Sequence, residues 1–486
     1  MARTLFQKAR LVARPLAGTH VPGMAGKADS NEEGIGSNLS EVRNLMPPIA
    51  AIAPAPEAPP ADSLGPKQSR DHDGVPRRDR EEACRHNWRE LAADALSPNW
   101  IVRWAFWLSI FAVPFMRVYL PGTGDRVGVE RLVQLLIFCA MVCQPRVCLR
   151  FIPTALFWFL IYCAMQIVSG LWLTPELRNV WFPRTLHWLQ FSLPWVWVLF
   201  NVLNFPGMGR SGLWALAWGC SLCALLHIAG IGVVEITNGI DGRSSVFGEN
   251  ANIVGATYAI AGIAIIALGM FRDLKVSRRL LLLPLIALVA IGLAKTGSRG
   301  AVLILIMGIL ILSFQGRSFG STPKRIGILL LISALLAAIV WQIPTVTKRF
   351  EELEGSNLDQ KEGRVRMVPV LREIFFRNPI YGSGPAGYEF ELTRRAMPHL
   401  IKDQRTTNAH NLTLKLLVEN GIIGFLLFAA GVKPALVGAW KARLNSPLPL
   451  ALIVSQVIVA FAVMDPSYHL VFWFAIAYGL SGGKTC

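Results

Sequence analysis

His410 and a scattered set of basic residues are the side chains in this 486-residue chain best suited to chemistry on a phosphorylated substrate that carries hydroxyls. His410 stands in Asn408-Ala409-His410-Asn411, where a polar stretch gives way to an apolar run. Its imidazole titrates near neutrality and can take a proton from an attacking hydroxyl. At such a boundary the same residue can equally serve as a helix cap. Among the basic residues, Arg243 lies in Asp241-Gly242-Arg243-Ser244-Ser245. Lys295 and Arg299 flank Thr296-Gly297-Ser298-Arg299-Gly300, and Arg364 and Arg366 begin a short amphipathic helix expected over Val365–Phe376. Converging guanidinium forks suit a diphosphate, because each can make paired, charge-assisted hydrogen bonds to phosphate oxygens.

The elements that must position these residues are apolar. Of the chain, 53% is hydrophobic and only 16% charged, against about a quarter charged in an ordinary soluble domain. Apolar runs of roughly 18 residues or more recur, about the length that crosses a bilayer core. In hydrocarbon such runs must satisfy their own backbone polar groups, so they form helices. About twelve are expected, at 100–119, 127–144, 151–173, 188–203, 212–235, 251–270, 280–296, 301–316, 326–345, 421–439, 446–464 and 469–483. The fold class is therefore an all-α polytopic membrane protein, with the lipid bilayer as its first partner.

Charge placement orients it. The even-numbered connections carry Arg272, Lys275, Arg278 and Arg279, then Arg317, Lys324 and Arg325, then Lys441 and Arg443, which implies an N-in, C-in arrangement. The net charge of +17 is spent on topology and on anionic headgroups, so no nucleic-acid partner is expected. Residues 1–98 read as a disordered cytoplasmic tail, Pro/Ala-rich and then dense in both charges, with no apolar core of the kind a cleaved signal peptide needs. Helices one to nine occupy 99–345 and helices ten to twelve 411–486. Between them, 346–410 forms a long polar loop on the outer face, a length that usually carries function. The basic residues singled out above face the same side, where each alone could merely snorkel. Within the loop, Pro379-Ile380-Tyr381-Gly382-Ser383-Gly384 reads as a tight turn.

Other features carry less. None of the eight cysteines falls in the long loop, and their spacing gives neither a disulfide framework nor a zinc site. Cys220 and Cys223 share a helix face as packing residues. Gly382, Gly384 and Gly387 follow no strand, so turn geometry explains them better than a phosphate loop. His227, Glu235 and Lys295 are ionisable groups inside or at the ends of apolar segments and read as functional candidates or as an ion pair lining a site. Trp100, Trp181 and Trp188 lie near span ends as an interfacial belt does. Asp465, in the last outer turn, reads as structural.

Taken together, four segments resemble the O-antigen ligase and O-antigen polymerase family. His410-Asn411, followed by Gly421 and Gly424, resembles its histidine signature. Gly363-Arg364 and then Pro379 to Gly384 resemble its arginine and P-x-x-G-x-G segment. Arg243 through Phe247-Gly248-Glu249-Asn250-Ala251-Asn252 resembles its R…F…NPN segment, with Ala251 where proline is usual, and Ser298-Arg299-Gly300 its SRG turn. The resemblance covers roughly residues 212–430. It implies a bacterial inner-membrane glycosyltransferase that works at the periplasmic face without metal or other cofactor. The donor would be an undecaprenyl-diphosphate-linked glycan, the acceptor lipid A-core or a further glycan. By position it implies catalytic roles for His410 as base and for Arg364 and Arg299. It implies substrate contacts from Arg243, Arg366, Asn250, Asn252, Asn411, Gly382 and Gly384, with Arg364 and Arg366 competing for one role. Ligase and polymerase share these motifs. A secondary transporter and a membrane scaffold are the readings from other classes.

Overall fold

A computed structural model describes residues 97–119, 128–235, 244–270, 274–314, 327, 363–396, 411–462 and 469–482. All of these belong to the unit Arg77–Cys486. The apolar runs form helices, as their backbones require. In chain order these are α1 (Trp100–Phe111), α2 (Val129–Cys143), α3 (Thr154–Leu173), α4 (Pro175–Leu203, with a π-turn at Trp188–Ser192) and α5 (Met208–Ile228). A hairpin of β1 (Val233–Glu235) and β2 (Ser244–Val246) precedes α6 (Ala251–Met270), α7 (Val276–Lys295) and α8 (Arg299–Phe314). Then come α9 (Gly363–Arg377), α10 (Gly387–Ala396), α11 (Leu412–Ala442), α12 (Leu448–Ala462) and α13 (Leu470–Leu480). Among the described residues, 6 helices (α3 to α7 and α11) are long and apolar enough to cross a membrane; α1, α8, α12 and α13 are shorter but apolar.

Eleven of the expected segments therefore contain a helix, while 326–345 lies, but for residue 327, outside the described residues. Among the boundaries that differ, two have a clear physical reason, the fifth and the tenth. The fifth run stops being helical at Ile228, because Gly230 and Gly232 turn into left-handed backbone (φ 79° and 69°) and Val233–Glu235 pairs antiparallel with Ser244–Val246. The fourth begins earlier, at Pro175. The tenth begins at Leu412, and its polar first turns hid it: Lys415, Glu419 and Asn420 interrupt the apolar pattern yet are buried by tertiary contacts. The interfacial belt fails at two of its three positions. Trp181 is buried and donates from Nε1 to the Thr174 carbonyl (3.0 Å), while Trp188 stacks edge-on against Trp473 at 5.2 Å inside the core.

α6 is apolar all round and sits at the centre of one group of helices, against α5, α7, α8 and α12. α11 organises a second group, packing on α3, α12 and α13. The loop helices α9 and α10 attach to this second group through a small apolar cluster of Leu371, Ile374, Tyr388 and Val418.

What seats them is a backbone joint. α11 breaks at Gly421, whose φ of 63° and ψ of −166° are open almost only to glycine. The Pro379–Gly384 turn enters this break. Ile422 N donates to the Pro379 carbonyl (2.8 Å), Ser383 N to Val418 O (2.8 Å) and Gly384 N to Glu419 O (2.9 Å). A Cβ on Gly421 would strike the Ile380 carbonyl, and one on Gly382 would lie 2.6 Å from the Asn420 nitrogen. The turn's far side rests on α3 and the start of α4, where Thr174 Oγ1 donates to the Pro385 carbonyl at 3.1 Å.

Gly421→Ala should therefore cost about 3 kcal/mol or more, since backbone strain and a clash with the docked turn add. Gly207→Ala is the control: its φ is 76° but nothing lies within 4 Å of the added Cβ, so about 1 kcal/mol is expected from backbone strain alone. Thermal unfolding of the two variants in detergent checks the difference; equal losses would mean that the joint is not tightly packed.

Candidate functional site

A cavity of about 870 Å³ lies at one end of the helix groups. Its walls come from the residues just after α1, the starts of α2, α6, α11 and α13, the middle of α4, the last turns of α5, β2 with its following turn, and α10. In the expected topology these ends all adjoin odd-numbered connections, which places the cavity on the face carrying the long loop. Phe191, Ile253, Val254 and Leu470 supply apolar wall, and three cationic residues, Arg117, Arg184 and Lys415, face three carboxylates, Glu130, Glu249 and Glu389.

The charges are paired as partial burial requires. Arg184 holds Glu389 with both forks, Nη1 to Oε1 at 3.0 Å and Nη2 to Oε2 at 3.1 Å. Arg117 Nε reaches Glu249 at 3.3 Å, with His469 Nδ1 at 4.0 Å from the same carboxylate, and His187 Nδ1 lies 3.0 Å from Glu130. Next to Arg184 runs a partly buried polar chain. Thr185 Oγ1 donates to Gln166 Oε1 (3.1 Å), and Gln166 Nε2 (2.6 Å) and Asn420 Nδ2 (3.2 Å) both donate to Tyr162 Oη. It links α4, α3 and the residue before the break in α11.

Few of the described residues singled out in the sequence reach this cavity. Asn250 lines it; Asn252, Asn411, Arg299, Gly382 and Gly384 do not. Asn250 Oδ1 accepts from Asn252 N (2.9 Å), a cap at the start of α6 where Ala251 takes the place of proline. Just before it, Phe247 and Gly248 both have positive φ (55° and 71°), so the non-glycine Phe247 is strained beside the cavity wall. Arg299 is the first residue of α8. Its turn presses on α6 so closely that a Cβ on Gly255 would sit 2.8 Å from Thr296 Oγ1 and 2.9 Å from Ser298 Cβ. The SRG turn and the Asn250–Asn252 segment are therefore neighbours. Asn411 N-caps α11, accepting from Leu414 N at 3.0 Å. Arg364 and Arg366 lie in the first turn of α9. His410, Arg243 and Asp465 lie outside the described residues.

Lys295 and His227 prove to be joinery. Lys295 Nζ donates to the last carbonyls of α5, His227 O at 3.3 Å and Ile228 O at 3.4 Å, where a cation favours the helix dipole. His227 Nε2 is 2.7 Å from Ser244 Oγ, pinning β2 immediately after Arg243. Cys220 and Cys223 are both buried in α5.

Arg117, Arg184, His187, Glu389 and Lys415 were missed as site residues. For Arg117, Arg184 and Lys415 a signal existed, since they are cations near segment ends on the side expected to be outer, the criterion that selected Arg243. For Glu389 there was none, because only the docked turn brings α10 to the cavity. Among the described residues no group of three or more His, Cys, Asp or Glu side chains is placed to hold a metal ion.

Fold and site thus define a polytopic helical membrane protein with a charged, partly apolar cavity at one end of its helices. Residues 283–429 match the family model described as O-antigen ligase, which supports that family for this part of the chain. The match takes in the Arg299 turn, both loop helices and the first half of α11. The chain matches no curated protein.

Burial pushes the Tyr388 phenol upward, and the Glu419 and Glu389 carboxylates add to the effect. The folded phenol keeps its proton past about pH 10, where an unfolded tyrosine releases it. Its contribution is therefore full below that pH and declines above it. Tyr388→Phe should flatten the loss of stability above pH 10, measured as melting temperature against pH; an unchanged profile would contradict the burial.

Proposed function

We propose that the chain transfers a glycan from undecaprenyl diphosphate to an acceptor hydroxyl at the periplasmic face of the bacterial inner membrane, as an O-antigen ligase acting on lipid A-core. The observation that carries this reading is the O-antigen ligase match over residues 283–429, which contains Arg299, Arg364, Arg366 and His410. The cationic and apolar mixture of the cavity wall supports it, since a polyprenyl diphosphate needs both kinds of surface.

In this reading His410 takes the proton from the acceptor hydroxyl as its oxygen attacks the anomeric carbon. The bond from that carbon to the diphosphate oxygen breaks on the opposite face, so the anomeric configuration inverts. The diphosphate departs with its charge held by Arg299, Arg243 and Arg364 or Arg366. Asn250, Asn252 and Asn411 act by shaping the segments around these groups, and Gly382 and Gly384 by admitting the docked turn. A sugar diphosphate is already activated for displacement, so a base and positive charge suffice without a metal.

Purified protein given an undecaprenyl-diphosphate-linked glycan should move glycan onto added lipid A-core. A ladder growing on the carrier without acceptor would instead identify a polymerase, and no transfer of either kind would remove the reading in favour of transport. His410→Ala should lower the rate by about 10²-fold or more with the protein still inserted, and Arg299→Gln should weaken donor binding. Full activity in the His410 variant would exclude it as the base.

A further inference from the structure

The arginines of the cavity wall already hold carboxylates where the transfer reading needs them for phosphate. Two of the cavity's cationic residues, Arg117 and Arg184, meet carboxylates, and the tightest match, two parallel hydrogen bonds, is Arg184 with Glu389. While the carboxylate holds the Nη1–Nη2 face, an incoming diphosphate can reach only the guanidinium's remaining N–H groups and not that bidentate face. Glu389 also differs from the other two carboxylates in origin. Glu130 and Glu249 stand beside bundle helices, whereas Glu389 rides on α10, a loop helix held mainly by the small Leu371, Ile374, Tyr388 and Val418 cluster and by the joint at Gly421. The Arg184 side chain retains 35% exposure, so a ligand in the cavity can reach it.

We infer that Arg184 is a further phosphate-binding residue of the cavity, and that Glu389 is a built-in competitor which gives way to the donor's diphosphate. A diphosphate oxygen pair reproduces the bidentate geometry of the carboxylate and carries more charge, so the exchange is favourable once the polyprenyl chain has delivered the group. Exchange releases α10 from α4, so the position of the loop helix follows donor occupancy. The inference rests on the transfer reading for the identity of the anion.

The test is binding of undecaprenyl diphosphate to the full chain in nanodiscs, by native mass spectrometry, for wild type, Arg184→Gln, Glu389→Gln and the double variant. Competition predicts opposite signs. Arg184→Gln should weaken binding about tenfold or more, Glu389→Gln should tighten it several-fold, and the double variant should resemble Arg184→Gln. A pair that only staples α10 predicts loss in both single variants, and that result would overturn the inference. So would the same opposite-signed pattern with phosphatidylglycerol in place of the diphosphate, because the exchange would then answer to any anionic lipid. If Arg184→Gln does not fold, Arg184→Lys keeps the charge without the fork and should still bind less tightly than wild type; unaltered binding there would also overturn it. Wild-type protein that binds no donor sinks the transfer reading, whereas binding indifferent to both substitutions sinks the exchange alone.

Discussion

The close approach of two backbones at Gly421 is the constraint on which the site depends. A membrane helix normally satisfies its own amides and carbonyls, and breaking one inside an apolar setting leaves polar groups that need partners. Here the Pro379–Gly384 turn supplies them. Amides of Ser383 and Gly384 take the carbonyls of Val418 and Glu419, while those of Ile422 and Ile423 take Pro379 and Ile380. Neither partner is complete alone. The spacing of glycines in the two motifs follows from this, since a side chain at Gly421 or Gly382 would occupy the other strand's backbone.

From that joint the rest is placed in sequence. The turn holds α9 and α10 against α3, α4 and α11, which brings Glu389 to Arg184 and buries Tyr388. Outside the cavity wall the Ser298-Arg299-Gly300 turn is fitted to α6 at Gly255, and His227 with Lys295 ties β2 to the ends of α5 and α7. The cavity lies where these two assemblies meet. Ionisable groups gathered in a low-dielectric wall must be paired or pay a desolvation cost, and that explains why arginine, histidine and glutamate arrive there in matched pairs.

Much of the helical framework was legible, because spanning length and apolar continuity are properties of each segment by itself. Legibility failed where a residue's environment comes from elsewhere in the chain. Lys415, Glu419 and Asn420 break the apolar pattern and yet are buried, and Trp181 and Trp188 read as interfacial and are core. Of the motif segments, the one at Asn250 reaches the cavity wall, while Arg299 and the Pro379–Gly384 turn do not line it. The motifs did not distinguish residues that line the cavity from residues that hold its walls: Asn411 caps a helix, and the loop glycines permit docking. The Arg184–Glu389 pair joins positions 205 apart in sequence, beyond any local pattern.

The central claim is that this cavity receives the donor diphosphate. It is tested most directly by photo-crosslinking the membrane-embedded protein with a polyprenyl diphosphate bearing a photoreactive group on its first isoprene unit. Adducts should fall in peptides covering residues 178–191, 245–258 and 387–396, which contribute Arg184, Asn250 and Glu389 to the wall. Adducts confined to the far ends of α5 and α7, around residues 208 and 276, would contradict it.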